Sequence, residues 1–377
     1  MKKIIYTILS LSLIFFSSCE ELEKDKDNPM ELTGYQDENI ILEDVFDGPV
    51  PDYYVVNDWK INADVIVEEG VRIMMKEGAL IEIDSEGSFN AIGTAENPIR
   101  IFGEVATPGY WDAIKFDDSN NPLNELVHVH ISDGGGDVHK GMITLTSDAM
   151  VVINHCVIEN SARYGIYTSS GSVKIPDFYN NVISGCSDHP MYLKFEQLYY
   201  LDGTTDFIDN GDDSYVEVQT GAIENDVTWE KLSVPVFFNS AYLDIEADVT
   251  VEPGSSFIMG SGAKIKVKPE GSLNMVGTLD EPITFTGDVS SPGYWEMIFF
   301  DGSNNPLNQL EYVNISYGGN SSRANLWCGG SSRIEVGNSS FNHSSNYGIY
   351  IGRNVNFNDI GGNSFTGNTS DDLHMQQ

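Results

Sequence analysis

VIENSARYGIYT (157–168), VISGCSDHPMYL (182–193) and FIDNGDDSYVEV (207–218) start at Val157, Val182 and Phe207, an even interval of about 25 residues. Aligned as written, their second positions read Ile158, Ile183 and Ile208, and their tenth Ile166, Met191 and Val216. The fourth reads Asn160, Gly185 and Asn210, residue types that tolerate the left-handed conformation of a tight corner. Farther along, SFNHSSNYGIYI from Ser340 and SFTGNTSDDLHM from Ser364 recur at nearly the same interval. They add Phe341 and Phe365, then Ile349 and Leu373, to the apolar columns. Apolar residues at fixed columns, in short alternating runs broken by turn-formers, predict short strands that turn corners. Such a period with no helical pattern makes each repeat one lap of a β-solenoid. A single lap cannot bury its apolar face, so the laps must stack on a shared core.

A longer repeat encloses the short one. PGYW occurs at 108–111 and 292–295, and SNNPLN at 119–124 and 303–308. Residues 94–136 and 278–320 align without a gap and are identical at 24 of 43 positions, too many for chance convergence of strand composition. ADVIVEEG from Ala63 matches ADVTVEPG from Ala247, and RYGIY from Arg163 matches NYGIY from Asn346. The chain therefore divides into repeat unit 1 (37–220) and repeat unit 2 (221–377). VTWEKLSVPV (227–236), which joins them, lacks linker composition, so one continuous rod is expected. At about 4.8 Å per lap, roughly thirteen laps give a rod on the order of 60–65 Å long. Pro-Gly should make a turn whose aromatic pair covers a corner, and the SNNPLN asparagines should satisfy turn backbone. Because both units carry these stretches, a single catalytic centre does not explain them.

The N-terminus reads as an address. Residues 1–18 have a basic start, a short apolar run and small residues before Cys19, the pattern of a lipoprotein signal with Cys19 as the lipidated residue. A plain cleaved signal is the alternative. Residues 19–36 are charged and poor in large apolar groups, so they read as a flexible acidic tether. With 57 acidic against 20 basic residues and a formal charge of −37, the chain repels nucleic acid, anionic membranes and polyanionic sugars not bridged by calcium. Membrane contact is expected through the lipid anchor only. Three cysteines remain after Cys19, an odd number that suggests buried thiols and no disulfide framework.

These features resemble the right-handed parallel β-helix superfamily, known best from pectate lyases. The lipobox, the ADVTVEPG and GTLDEPITFTG segments, PGYW and NSFTGN look more closely like β-helix lipoproteins of Bacteroidetes. The resemblance covers Ile40 to the C-terminus. It implies an all-β right-handed parallel β-helix and an outer-membrane lipoprotein facing the cell surface, with a periplasm-facing anchor as the alternative. The enzymes of the superfamily need arginine or lysine bases beside calcium-holding carboxylates, or aspartates with histidine and basic partners. None of the six arginines lies in such a motif, and the Asp-Asp pairs at 117–118, 212–213 and 371–372 lack those partners. The chain thus reads as a non-catalytic binding or scaffold protein without a cofactor. A polysaccharide lyase or glycoside hydrolase is one alternative, and a purely structural or adhesive rod that meets another envelope protein is a second.

Outward columns supply the candidate sites. Tyr167, Tyr192, Glu217, Tyr350 and His374 share the eleventh column, and Tyr164 and Tyr347 share the eighth. A tyrosine ladder beside Glu217 could stack a neutral polysaccharide, although stacked aromatics stabilise a sheet face without any ligand. In LVHVHIS the alternation predicts His128 and His130 outward on one strand, a possible metal pair or a solvated face. Asp209, Asp212 and Asp213 in DNGDD offer oxygens for calcium or form an ordinary acidic turn. The final strand should leave an open sheet edge, from which end-to-end self-association is expected.

Overall fold

The structure is a computed structural model and describes residues 28–377 except 137, 212–213 and 321–323. Signal peptide, Cys19, Asp212 and Asp213 lie outside the described residues. The chain winds into a right-handed parallel β-helix of about 14 turns, roughly 25 residues per turn and 2% helical.

Each lap crosses three faces. On the second face of unit 1, strands Ile81–Ile83, Ile114–Asp117, Gly141–Thr146, Tyr164–Thr168, Met191–Lys194 and Val216–Gln219 stack in parallel. Alternate residues point inward because a strand has a period of two. Ile114, Ile143, Ile166, Met191 and Val216 accordingly form one fully buried file. On the first face Ile158 pairs with Ile183, and both are buried.

The third lap departs from the alignment above. Ile183 pairs with Phe207, while Ile208 pairs with Ser184 and is 50% exposed. The corner residue with positive φ is Asp209, in line with Asn160 and Gly185. Asn210 instead turns inward, where Oδ1 accepts from Cys186 N and Nδ2 donates to the Ile183 carbonyl. The cause is loop length. The lap from Ile183 to its partner Phe207 is a single residue shorter than the lap from Met191 to its partner Val216, so the added residue lies in the loop after Ile208. A one-residue slip moves a side chain to the opposite face.

Two further expectations need correction. Met30–Gln36, assigned above to the tether, is a strand on Tyr53–Ile61, docked by the buried Leu32. Trp111 and Trp295 do not cover corners from outside. They are fully buried, and each Nε1–H donates across to the carbonyl of Ser132 or Ser316 at 2.8 Å. The Pro-Gly turns form as expected, with Gly109 and Gly293 at φ 76° and 78°.

At the junction one sheet runs through from unit 1 to unit 2, and the two units do not stand in line. Val216–Gln219, on the second face of unit 1, pairs with Val236–Phe238, which opens the first face of unit 2. Gly221–Ile223 then pairs with the second-face strand Tyr242–Ile245, and Val227–Trp229 with the third-face strand Asp248–Val251. Unit 2 is therefore advanced by one face around the axis. Aromatic side chains fill the step: Phe195 meets Trp229 at 5.1 Å and Phe238 at 5.3 Å, and Phe257 stacks on Phe285 at 4.5 Å. A 3-10 helix, Phe195–Tyr200, replaces a strand on the third face here, although no helical segment was expected.

Cys156, Cys186 and Cys328 are buried and not joined to one another. Burial pushes the Cys156 and Cys186 thiols up to about 12, so neither is a thiolate near neutral pH.

Candidate functional site: the outer aromatic ladders

On the second face of unit 1 the outward column reads Lys60, Glu82, Lys115, Thr144, Tyr167, Tyr192 and Glu217 from lap to lap. Tyr167 and Tyr192 stack at 4.7 Å between ring centroids, as adjacent laps require. Tyr164 meets the edge of Tyr192 at 5.3 Å. Lys140 and Lys194 lie over the Tyr167 and Tyr192 rings at 5.3 and 6.0 Å, a favourable cation–π placement. Burial pushes the Tyr192 hydroxyl up to about 12.

Glu217 is not open to a sugar hydroxyl. It is 5% exposed, its Oε2 accepts from Tyr164 Oη at 2.8 Å and its Oε1 from Asn239 Nδ2 at 2.8 Å. Burial, then the hydrogen bond to this carboxylate, raises the Tyr164 hydroxyl well above the usual phenol range. Asn239 belongs to the next lap, across the face step, where the column alignment of unit 1 does not reach.

In unit 2 the corresponding column reads Asp244, Lys266, Phe299, Trp327, Tyr350 and His374. Phe299 and Trp327 stack at 4.2 Å, Tyr350 and His374 at 5.0 Å, and Tyr347 and His374 at 4.7 Å. Tyr350 is only 6% exposed, so it is a covered member of the stack, with Trp327 and Tyr347 partly exposed around it. Sequence columns missed Phe299 and Trp327. The SNNPLN loop lengthens the lap between them, and a search at the interval of the tyrosine column passes over the pair.

His128 and His130 do not share a strand. The third-face strand ends at Val127 and the next begins at Val129, so His128 is itself the corner, at φ 51°. Its counterpart Tyr312 has φ 52°. The His128 ring lies 4.7 Å from that of His155. His130 instead bridges Arg100 (Nδ1, 3.0 Å) and Glu159 (Nε2, 2.7 Å). Asp209 is an exposed corner residue, and Asn210 beside it spends its amide on the core.

Carboxylates do converge at Glu82, Asp84 and Asp117, whose oxygens come within 4.8 Å of one another. Cationic partners are already present: Glu82 holds Lys60 at 2.6 Å and Lys115 at 2.8 Å, and Asp117 also holds Lys115 at 2.9 Å. Burial pushes the Glu82 carboxyl upward, but hydrogen bonds from Lys115 and Lys60 outweigh it and hold the group below the usual carboxylate range. A depressed carboxyl contributes stability above its unfolded pKa, near 4.3, and loses it as pH falls through the lower folded value. Glu82→Gln is expected to cost about 1–2 kcal/mol at pH 7 and progressively less below about pH 4. The test compares urea midpoints of variant and wild type, because Asp84, raised first by burial, works in the opposite direction and that part is common to both. A gap that does not narrow in acid would refute the assignment.

The chain matches no family model, no curated protein and no solved structure. Its class is defined by its own architecture, a parallel β-helix rod built from two copies of one unit.

Proposed function

We propose that the protein is a non-catalytic rod of the cell envelope, anchored through a lipidated Cys19 and exposed at the outer-membrane surface, whose aromatic ladders make contact with neutral glycans. The observation that carries this reading is the outer stack of Tyr167 on Tyr192; in unit 2 the partly exposed Trp327 stacks likewise, on a Phe299 ring that is itself buried. Sugar rings pack on such faces through their C–H surfaces, and aromatic rings provide a large contact area with few rotatable bonds. The charge of −37 disfavours polyanionic chains and leaves neutral ones as the better partners. Lipobox and acidic tether support the location, and the likeness to surface lipoproteins of Bacteroidetes supports the lineage.

A glycan array probed with the full chain and with a Tyr167→Ala/Tyr192→Ala variant tests the reading. Binding to neutral glycans is expected to fall roughly tenfold or more in the variant, on the scale of one or two lost stacking contacts. Unchanged binding removes the ladder. Absence of any glycan binding favours the second reading, a structural or adhesive rod that meets another protein, which the sheet that runs through the junction also fits.

A further inference from the structure

The face step leaves a gap in the third face. The third-face sheet of unit 1 ends at Val152–Asn154, and the sheet opened by Gly221–Ile223 starts farther along. Between them lie the loop around Ser172 and the 3-10 helix Phe195–Tyr200. The gap forms a half-open cavity of about 330 Å³ lined by Ser172, Lys174, Glu196, Tyr199, Tyr200 and Asn225, among others.

This cavity is held open by built structure. Gln197, fully buried, ties the helix to the lap below: its Oε1 accepts from Thr168 Oγ1 at 2.6 Å and from Lys194 N at 2.9 Å, and its Nε2 donates to Ser170 O. Val173 and Ile223 form buried apolar walls. The Glu196 carboxylate lies against Gly221, where an added Cβ would come within 2.6 Å of Oε1. Its Oε1 accepts from Ala222 N at 3.2 Å. Its Oε2 is buried and has no hydrogen-bond partner among the described residues. A buried carboxylate oxygen without a donor is costly, and a donor supplied from outside the chain would relieve that cost.

We infer that this cavity is a binding site for one or two units of a neutral saccharide, with the Glu196 carboxylate turning about its last torsion to bring Oε2 to a sugar hydroxyl. The lining offers acceptors (Glu196), donors (Lys174) and groups that do both (Ser172, Asn225, the tyrosine hydroxyls), which matches a polyol whose hydroxyls also do both. Lys174 disfavours a cationic ligand, and Glu196 with the neighbouring Glu224 an anionic one. Tyr199, 41% exposed beside Tyr200, provides a ring on which a pyranose can lie. The volume is at the small end of the range for ligand pockets and suits a mono- or disaccharide. The sugar class is that argued for the ladders, but the site is separate, on another face.

Saturation-transfer NMR and calorimetry on the full chain, with cellobiose, maltose and lactose as probes and putrescine as the cationic control, test the site. At least one disaccharide is expected to bind, and Glu196→Gln and Tyr199→Ala are each expected to weaken it roughly tenfold or more, the ordinary effect of removing a charged hydrogen bond or a stacking ring. Tyr199 is exposed, so its removal leaves the fold intact even if Glu196→Gln shifts the melting curve. The Tyr167→Ala/Tyr192→Ala variant is expected to keep disaccharide binding, so failure of the ladder reading and failure of this one are told apart. No binding by any of the three sugars, binding unchanged in both pocket variants, or binding of putrescine alone would overturn the assignment.

Discussion

Trp111→Ala and Trp295→Ala are each expected to destabilise their own unit by about 4–6 kcal/mol. Removing a fully buried tryptophan costs about 3–5 kcal/mol through lost transfer energy and the cavity left behind. A second loss follows, because the carbonyl of Ser132 or Ser316 gives up the indole N–H that it accepts from at 2.8 Å. Collapse cannot fill the space cheaply. The ring lies against backbone of the next lap, where a Cβ added at Gly134 would come within 2.6 Å of Trp111 and one at Gly318 within 3.0 Å of Trp295. Trp111→Phe bears on the two contributions, since it keeps part of the buried ring volume while it loses the N–H altogether. Solenoids unfold in segments. Hydrogen exchange should therefore show protection lost first across residues 99–135 for Trp111 and across 283–319 for Trp295. Equal loss throughout the rod, or a cost under about 1 kcal/mol, would contradict a local wedge.

The inward half of this architecture was legible before any coordinates. Side chains that share a core column must recur at the lap period, so Ile166, Met191 and Val216, or Ile349 and Leu373, declare themselves as stacked pairs. Outward and corner positions obey no such rule. A corner needs only a residue that tolerates positive φ, and His128 and Tyr312 take that role in places where alternation alone predicts uninterrupted strand. Loops absorb single residues without disturbing the core, which put Ile208 on the wrong face of the alignment. The step between units leaves no local mark: Val216 finds its partner at Val236, after a short lap that no motif announces. Both Glu217, closed off by Asn239, and the Glu196 cavity arise from that step, so neither could be read from a repeat that treats every lap alike.

Asn124 and Asn308 show why SNNPLN is written twice. Each closes the same four hydrogen bonds. Asn124 Oδ1 accepts from Phe89 N at 3.0 Å, while Nδ2 donates to Ser119 O, Ser119 Oγ and Met150 O at 3.1, 2.8 and 3.1 Å. Asn308 does so with Leu273 N, Ser303 O, Ser303 Oγ and Arg333 O. One buried amide thus joins three successive laps at the point where the chain leaves the ladder for a loop. Truncation to alanine leaves Phe89 N and Met150 O without a partner, at about 1–3 kcal/mol each, while Ser119 O keeps its bond from Met150 N, so Asn124→Ala is expected to cost about 2–6 kcal/mol. Asn124→Asp sharpens the test. The isosteric carboxylate directs an oxygen at the Ser119 and Met150 carbonyls, so both burial and these acceptors favour its protonated form and raise its folded pKa. For an acid with a raised folded pKa, stability increases as pH falls through that value, because the neutral form can donate one of the lost hydrogen bonds. Asn124→Asp should therefore be as unstable as Asn124→Ala at pH 7 and recover relative to it toward pH 4, measured by urea unfolding followed by circular dichroism. Parallel pH curves for the two variants would mean that the amide is not the donor that holds the laps together.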